Sequence, residues 1–398
     1  NNADITFSGN LINNGTITVE SDASGDGSLI VEGSISGSGT YNVERYLSGS
    51  QWHLVTSPIT SATAGVFNGH WLRAYDEATN DFGEYITPAS TSMPTGQGFS
   101  LWADANDTRT FSGTINHGEV SIPLQLTGGA SGTSGWNLIG NPYPSAIDWN
   151  AASGWTKTNV ANSVYVWNNN QYATYIGGAS ANGGSRYIAM GQGFFVQATN
   201  STSSITMDTD VQVHNSVAFR NNEEPQNLMR IYVSGNGYSD ETVLYYVSDA
   251  SDSYDFNYDA SKLYGIAEAP QLYSKKQEYM TAIHSVNNLD NFYGKLLHLE
   301  VGEAGEYTIN FTHTFTEITD IAIKDLVSGA VFTANENYTF TSQPGDETAR
   351  FEIVSDEILD IEKSIYGDLL VWNYNNILNV QTPSNEILEE VMVYNLQG

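Results

Sequence analysis

The chain has 398 residues, with 45 Asp and Glu against 14 Lys and Arg, so its formal net charge is −31 at pH 7. That charge repels polyphosphates and excludes nucleic-acid binding, and the lack of any apolar run of about 18 residues predicts no transmembrane segment. The absence of Cys excludes disulfides, thiolate catalysis and Cys-ligated metal centres.

The composition predicts an all-β fold that begins with a parallel β-solenoid. Aromatic residues make up 12% of the chain beside 37 Gly, and long stretches rich in Ser, Thr and Asn favour strands and turns over helices. Residues 1–49 contain very short apolar strands separated by glycines, which is typical of successive solenoid coils. A β-meander has the same local pattern and stays open as an alternative. The first residues lack the basic and apolar regions of a leader, which predicts a mature form or an internal fragment.

Residues 50–134 and 135–222 form an internal repeat, which predicts two tandem β-sandwich-like units. Two anchors recur in the same order, residues 52–59 with 136–143 and residues 96–99 with 191–194. The proline in each first anchor ends a strand. The second anchor, Gly-Gln-Gly-Phe, predicts a turn that enters a core strand, with a ligand loop as the alternative. Whether the units form one domain or two stays open.

Longer alternating strands over residues 226–356 predict a β-sandwich. Turn residues recur between those strands, and residues 221–226 form a plausible linker before them. Residues 358–398 then have short strands typical of half a small sandwich. The predicted organisation is therefore a solenoid, a duplicated unit, a sandwich and a partial final domain in series.

No catalytic motif is visible in the chain. The seven His form no zinc-binding pair, and no nucleophile elbow, Ser-x-x-Lys motif or P-loop occurs. The chain is therefore predicted not to be an enzyme. A glycosidase stays open as an alternative, because it needs only two carboxylates whose separation a sequence does not reveal.

The densest acidic segment is a candidate Ca²⁺ site. It offers hard oxygen ligands at close spacing, although it lacks the Gly and Glu of an EF-hand loop. The candidate ligands are Asp249, Asp252, Asp255, Asn257 and Asp259. A solvated acidic loop is the alternative.

The second repeat unit is a candidate glycan platform. Aromatic rings stack on sugar rings, and Asn amides hydrogen-bond to hydroxyls. The candidate residues are Trp149, Trp155, Tyr165, Trp167 and Tyr172. The alternative is that these rings fill thin β cores.

Several segments resemble large secreted proteins of Bacteroidetes. The sequence Gly-Trp-Asn-Leu-Ile-Gly-Asn-Pro-Tyr-Pro at residues 135–144 is recurrent in them, and residues 258–273 and 338–351 resemble the β domain that often precedes their sorting signal. Residues 377–380 and 393–398 resemble the Ig-like type A C-terminal sorting domain of the type IX secretion system. Its usual final strands are absent after Gly398, so this domain is expected to be truncated.

The resemblance implies a non-catalytic, adhesin- or stalk-like part of a protein that the type IX system exports to the outer-membrane surface or the medium. The implied partners are the translocon and its shuttle protein, beside an extracellular polysaccharide or a cell-surface ligand. The residues expected to be recognised by the translocon are Ile377, Leu378, Val380, Val393, Tyr394 and Leu396. The alternative function is a glycan-binding accessory region of a secreted hydrolase.

Overall fold

A computed structural model describes residues 3–129, 132–214 and 225–355, together with the backbone of residues 370–374 and 377–381. The described chain is all-β, as the composition predicts. Its helices are three short 3-10 turns, Ala64–Phe67, Thr209–Val211 and Leu289–Phe292. In this part of the chain no helix has the length and apolar character needed to cross a membrane.

The first eight strands form two turns of chain, called the coils here, in which three strands of one turn pair in parallel with three strands of the other. They are β1 (Asp4–Phe7), β2 (Leu11–Ile12), β3 (Thr16–Val19), β4 (Ser21–Asp22), β5 (Gly25–Asp26), β6 (Ser28–Val31), β7 (Ile35–Ser36) and β8 (Thr40–Leu47). Three parallel pairs, β1 with β6, β2 with β7 and β3 with β8, share one offset of 24 residues. At one corner Gly37 has a φ of +102°, and a Cβ there would lie 2.1 Å from the carbonyl oxygen of Asn13. Only glycine allows the coils to stack this closely.

The first repeat unit is built from β9 to β14, and the second from β15 to β24. The first contains β9 (Gln51–Val55), β10 (Trp71–Asp76), β11 (Asp81–Tyr85), β12 (Phe99–Ala103), β13 (Asp107–Gly113) and β14 (Val120–Pro123). The second contains β15 (Trp136–Gly140), β16 (Ala146–Asp148), β17 (Trp155–Thr158), β18 (Val164–Asn168), β19 (Gln171–Ile176), β20 (Ala179–Ala181), β21 (Tyr187–Ile188), β22 (Gly193–Gln197), β23 (Ser204–Met207) and β24 (Gln212–Val213).

Strands that the sequence repeat makes equivalent occupy equivalent places in the two units. One sheet has the order β11-β10-β12-β9, and the other has the order β15-β22-β18-β19-β20. Phe99 lies opposite Val55 in the first sheet, and its counterpart Phe194 lies opposite Ile139 in the second. Because Val55 and Ile139 are themselves counterparts, the duplication extends to the register of the strands.

The two units contact each other through their repeated anchors. The amide of Thr56 donates to the carbonyl of Gly191 at 3.0 Å, and the equivalent amide of Gly140 donates to the carbonyl of Gly96 at 2.9 Å. This reciprocal pairing is that of an approximate two-fold axis. The Gly-Gln-Gly-Phe boxes form turns at this contact, and a Cβ on Gly98 would lie 2.5 Å from a backbone oxygen of the other unit. The boxes therefore hold the units together.

The next eleven strands form one curled sheet. They are β25 (Leu228–Gly235), β26 (Tyr238–Tyr246), β27 (Ala260–Ser261), β28 (Gln271–Lys276), β29 (Tyr279–Val286), β30 (Leu296–Glu300), β31 (Gly305–His313), β32 (Ile321–Asp325), β33 (Val331–Thr333), β34 (Tyr338–Ser342) and β35 (Ala349–Ser355). The edge strands β33 and β34 come together, since the rings of Phe332 and Tyr338 stack at 5.0 Å. Where the sequence predicted two separate sheets, hydrogen bonds join the strands into one nearly closed sheet around a common core.

A last antiparallel pair is formed by β36 (Leu370–Tyr374) and β37 (Ile377–Gln381). It lies in the predicted sorting domain. Three of the residues expected to contact the translocon, Ile377, Leu378 and Val380, belong to β37. The other three, Val393, Tyr394 and Leu396, lie outside the described residues.

Candidate functional site

A cleft of 560 Å³ opens where the coils and both repeat units come together. Its walls come from the β4–β5 hairpin, from the ends of β8 and β9, and from the loops after β18 and around β21. Its aromatic lining residues are Tyr46, Trp52, His53, Trp167 and Tyr187, and its main polar ones are Asp22, Asp26, Arg45, Gln51, Asn168 and Asn169. These elements are far apart in sequence, so the cleft exists only because the units pack against each other.

The two indoles of the cleft are held in place by neighbouring rings. Trp52 packs edge-on against Trp102 at 5.5 Å, and Trp167 packs edge-on against Tyr172 at 5.0 Å. Both tryptophans are only half-buried, so part of each ring is accessible. Ordered, partly exposed rings provide a ligand with contact area at little cost in conformational entropy.

The central cation of the cleft is already paired. The Arg45 guanidinium lies 3.3 Å from the Asp26 carboxylate, and it also donates to the carbonyl of Met190 at 3.2 Å and the side chain of Gln192 at 3.1 Å. Gln192 belongs to the second Gly-Gln-Gly-Phe box, so Arg45 connects the hairpin to the contact between the units.

His53 contributes a neutral ring to the cleft. Its Nε2 lies 2.8 Å from the carbonyl of Ser48, and burial lowers the pKa of His53 below its usual value. With His53 neutral and Arg45 paired to Asp26, the groups left for a ligand are aromatic rings, amides, hydroxyls and the Asp22 carboxylate, which already accepts from the amide of Ser24 at 2.7 Å. Such a lining suits a neutral, hydroxyl-rich molecule better than an ion.

The structure disperses the five aromatic residues that the sequence suggested as a glycan platform. Trp149 is 1% exposed and Tyr165 is fully buried, so both belong to cores. Trp155 packs edge-on against Trp149 at 5.1 Å, and burial raises the pKa of the Tyr172 hydroxyl. Of the five, only Trp167 lines the cleft. The core interpretation, weighed as the alternative, fits Trp149 and Tyr165.

Sequence reasoning missed Trp52, which lies in the cleft. By the repeat alignment Trp52 is the counterpart of Trp136, and both lie within the first two residues of the first strand of their unit. Trp136 is 2% exposed, whereas Trp52 is only half-buried. The duplication was the only sequence signal that bears on Trp52. It predicts equal burial for both tryptophans, so it could not have identified Trp52 as a cleft residue.

The acidic segment does not gather its carboxylates around a common point. Asp259 is buried, forms an ion pair with Lys276 at 3.0 Å, and accepts a hydrogen bond from the amide of Ser285 at 2.7 Å. Asp252 accepts one from Asn287 at 2.9 Å. Burial raises the pKa of Asp259, and its partners oppose that shift.

Of the other three candidate ligands, Asp255 accepts from the amide of Asn257 at 2.9 Å, and Asp249 accepts from the hydroxyl of its chain neighbour Ser248 at 3.4 Å. Within residues 3–129, 132–214 and 225–355, no three His, Asp or Glu side chains are grouped so that they could hold a metal ion. The structure therefore adds no support to the Ca²⁺ prediction.

Comparison with known proteins gives one match. A family described as a domain of unknown function, DUF8693, matches residues 1–354. That range includes the coils, both repeat units and nearly all of the eleven-stranded sheet. No curated protein and no solved structure matches the chain.

Proposed function

The chain belongs to the DUF8693 family, whose description assigns no activity, and we propose that it is a non-catalytic, adhesin-type binding and stalk region of a secreted or cell-surface bacterial protein. The observation that carries this proposal is the cleft between the coils and the repeat units. It combines ordered, half-buried indoles with amides and paired charges, and this combination suits a sugar ring.

A binding role is favoured over hydrolysis by the state of the cleft's carboxylates. A glycosidase needs one carboxyl group free to act as a general acid and a second placed across the bond. Asp26 is instead held by Arg45 at 3.3 Å and by the Ser21 hydroxyl at 2.5 Å. The second carboxylate of the cleft, Asp22, accepts from the amide of Ser24 at 2.7 Å, so both carboxylates already have partners within the protein.

A stalk role is supported by the order of the elements. The constant offset of 24 residues between the parallel pairs is what successive coils of a β-solenoid produce, and we interpret β1–β8 as its end. The duplicated units then follow as tandem β-sandwich-like modules. The stalk role therefore rests on this parallel pairing and on the tandem order of the modules along the chain.

Export by the type IX secretion system is the route we propose, on the resemblance of residues 377–380 and 393–398 to its sorting domain. The translocon and shuttle protein would then recognise this end of the chain, for instance by pairing a strand with its sheet edge. Deletion of residues 358–398 from the exported protein should abolish its secretion. Unchanged secretion after that deletion would contradict the route and leave the cleft proposal intact.

The cleft is tested with a panel of extracellular polysaccharides and one substitution. Trp52→Ala should weaken the binding of any polysaccharide that the chain binds by at least about tenfold, as expected for loss of a central aromatic contact. The matched control is Trp71→Ala, which removes an indole that is 52% exposed, in the same unit but outside the cleft. Binding is measured by affinity electrophoresis and calorimetry, with circular dichroism to confirm folding. Absence of polysaccharide binding, or equal losses in both variants, would refute the cleft as a glycan site.

A further inference from the structure

A second pocket, of 310 Å³, lies in the eleven-stranded sheet and shares no lining residue with the cleft. Three basic side chains line it, from Lys276 at the end of β28, His284 in β29 and Lys295 before β30. The whole chain has only 14 Lys and Arg against 45 Asp and Glu. A convergence of basic groups is therefore unusual for this chain and calls for a physical reason.

His284 presents an unsatisfied nitrogen. The residue is fully buried, and its Nδ1 lies 3.0 Å from the Ser274 hydroxyl. Its Nε2 is buried as well and has no hydrogen-bond partner among the described residues. Burial and the nearby Lys295 and Lys276 lower the pKa of His284 well below its usual value. A buried polar nitrogen without a partner is costly, so a polar occupant of this pocket would remove that cost.

The ammonium groups of the two lysines differ in their hydrogen-bond and ion-pair partners. The Lys276 ammonium lies 3.0 Å from the Asp259 carboxylate and donates to the carbonyl of Ser285 at 2.9 Å. The Lys295 ammonium is half-buried, and in the described part of the chain no hydrogen bond or ion pair engages it. Burial, followed by repulsion from Lys276, lowers the pKa of Lys295. The cation left for a ligand is therefore Lys295.

The charge of the pocket allows a ligand at most one negative charge, because the two lysines face two carboxylates, Asp259 and Asp252. Asp259 balances Lys276, and Asp252, which is engaged by Asn287 at 2.9 Å, lies at the exposed rim. With His284 neutral, one cation remains next to a carboxylate. A dianion such as phosphate would be repelled by Asp252, whereas one carboxylate could pair with Lys295.

The size and the rim chemistry define the rest of the ligand. A volume of 310 Å³ is much larger than a bare ion needs, since one water takes about 30 Å³ of liquid. The rim carries the hydroxyl of Ser251 and the amides of Asn287 and Asn291, which donate to and accept from hydroxyl groups. We propose that this pocket binds the carboxylate of a polyhydroxylated acid of the uronic acid class, with Lys295 on the carboxylate and His284 Nε2 on an adjacent hydroxyl.

The test is a calorimetric titration of the full chain with galacturonate, with galactose and inorganic phosphate as reference ligands. Galacturonate should bind saturably and more tightly than either reference. Lys295→Gln should weaken that binding by roughly tenfold or more, because a charge-assisted hydrogen bond is lost. The matched control is Lys275→Gln, which removes an equal charge from an exposed position in the same sheet.

A second readout reports on His284 directly. In uniformly ¹⁵N-labelled protein, galacturonate should shift the imidazole Nε2 signal of His284, and Trp52→Ala should leave this shift unchanged because the cleft is a different site. An oligogalacturonate that binds more tightly than the monomer would identify a polysaccharide as the source, and equal affinity would identify the free acid. Absence of galacturonate binding, equal binding of galactose or phosphate, or equal binding by Lys295→Gln would overturn the proposal.

Discussion

Lys157 is a residue whose protonation depends on its packing. Its ammonium lies 3.4 Å from the ring centroid of Trp149 and donates to the carbonyl of the same residue at 2.8 Å. Burial lowers the pKa of Lys157 to about 7, and Asp148 opposes that shift. A lysine in the unfolded chain has a pKa near about 10.4. The unfolded chain therefore binds more protons than the folded one between these two values.

We expect this difference to make stability rise with pH. Between pH 7 and pH 9 the free energy of unfolding should gain up to about 1.4 kcal/mol per pH unit from Lys157, because the cost of burying its charge disappears. Lys157→Met should lose this contribution, whereas Lys275→Met at an exposed site should keep it. Urea denaturation at a series of pH values measures the slopes. Equal slopes in Lys157→Met and the unsubstituted protein would mean that Lys157 titrates as an exposed lysine does.

At the scale of elements, the Gly-Gln-Gly-Phe boxes determine how the repeat units join. A Cβ on Gly98 would lie 2.5 Å from the backbone oxygen of Ile139 and 2.8 Å from a side-chain carbon of Leu138. We expect Gly98→Ala to destabilise the chain by about 1–3 kcal/mol, the usual cost of overpacking a contact that cannot move away. In the matched control, Gly83→Ala, the new methyl group would meet only an oxygen at 3.7 Å. Chemical denaturation compares the two, and equal stabilities would contradict the close approach of the units.

The same boxes show which features of the fold could be predicted from the sequence and which could not. The sequence predicts the repeat and the equivalence of its strands, because both are local patterns that occur twice. It also predicts the turns that precede the strands of Phe99 and Phe194. The contact of Thr56 with Gly191 could not be predicted, because these two residues occupy different positions in the repeat and no sequence pattern links them. The cleft depends on that contact, which is why the sequence does not point to Trp52 and leaves Trp149 open between a platform and a core. Burial here is decided by non-local packing rather than by residue type.

At the scale of the whole molecule, buried polar groups join the second repeat unit to the curled sheet. The Asp240 carboxylate, which is 1% exposed, accepts from the Lys262 ammonium at 2.5 Å, from the amide of Leu272 at 2.6 Å and from the Asn182 side chain at 2.8 Å. Asn182 follows β20 in the second unit, whereas Asp240 and Lys262 belong to the sheet region. Next to this pair, Arg230 forms a buried ion pair with Glu241.

Asp240→Asn should therefore be strongly destabilising. It leaves the Lys262 ammonium, 1% exposed, without a compensating charge, and breaking a buried pair in this way costs about 3–5 kcal/mol. The double variant Asp240→Asn with Lys262→Met should recover much of that loss, because no unpaired charge remains. Glu278→Gln, at an exposed position of the same sheet, serves as the control and should change stability by less than about 0.5 kcal/mol. Guanidinium denaturation of all three measures the free energies, and a small effect of Asp240→Asn would show that water reaches this pair.

An apolar cluster extends the same connection and predicts how the molecule unfolds. It contains Leu54 from the first unit, Trp136 and Tyr165 from the second, and Leu228 and Val243 from the sheet. Because one core is shared by all three parts, none can unfold without exposing apolar surface of the others. We expect calorimetry to give one cooperative transition, which Asp240→Asn moves to lower temperature as a whole. The contrary result is two separate transitions, of which Asp240→Asn shifts only one. The sheet and the repeat units would then unfold independently, and their contact would be no stronger than a typical contact between domains.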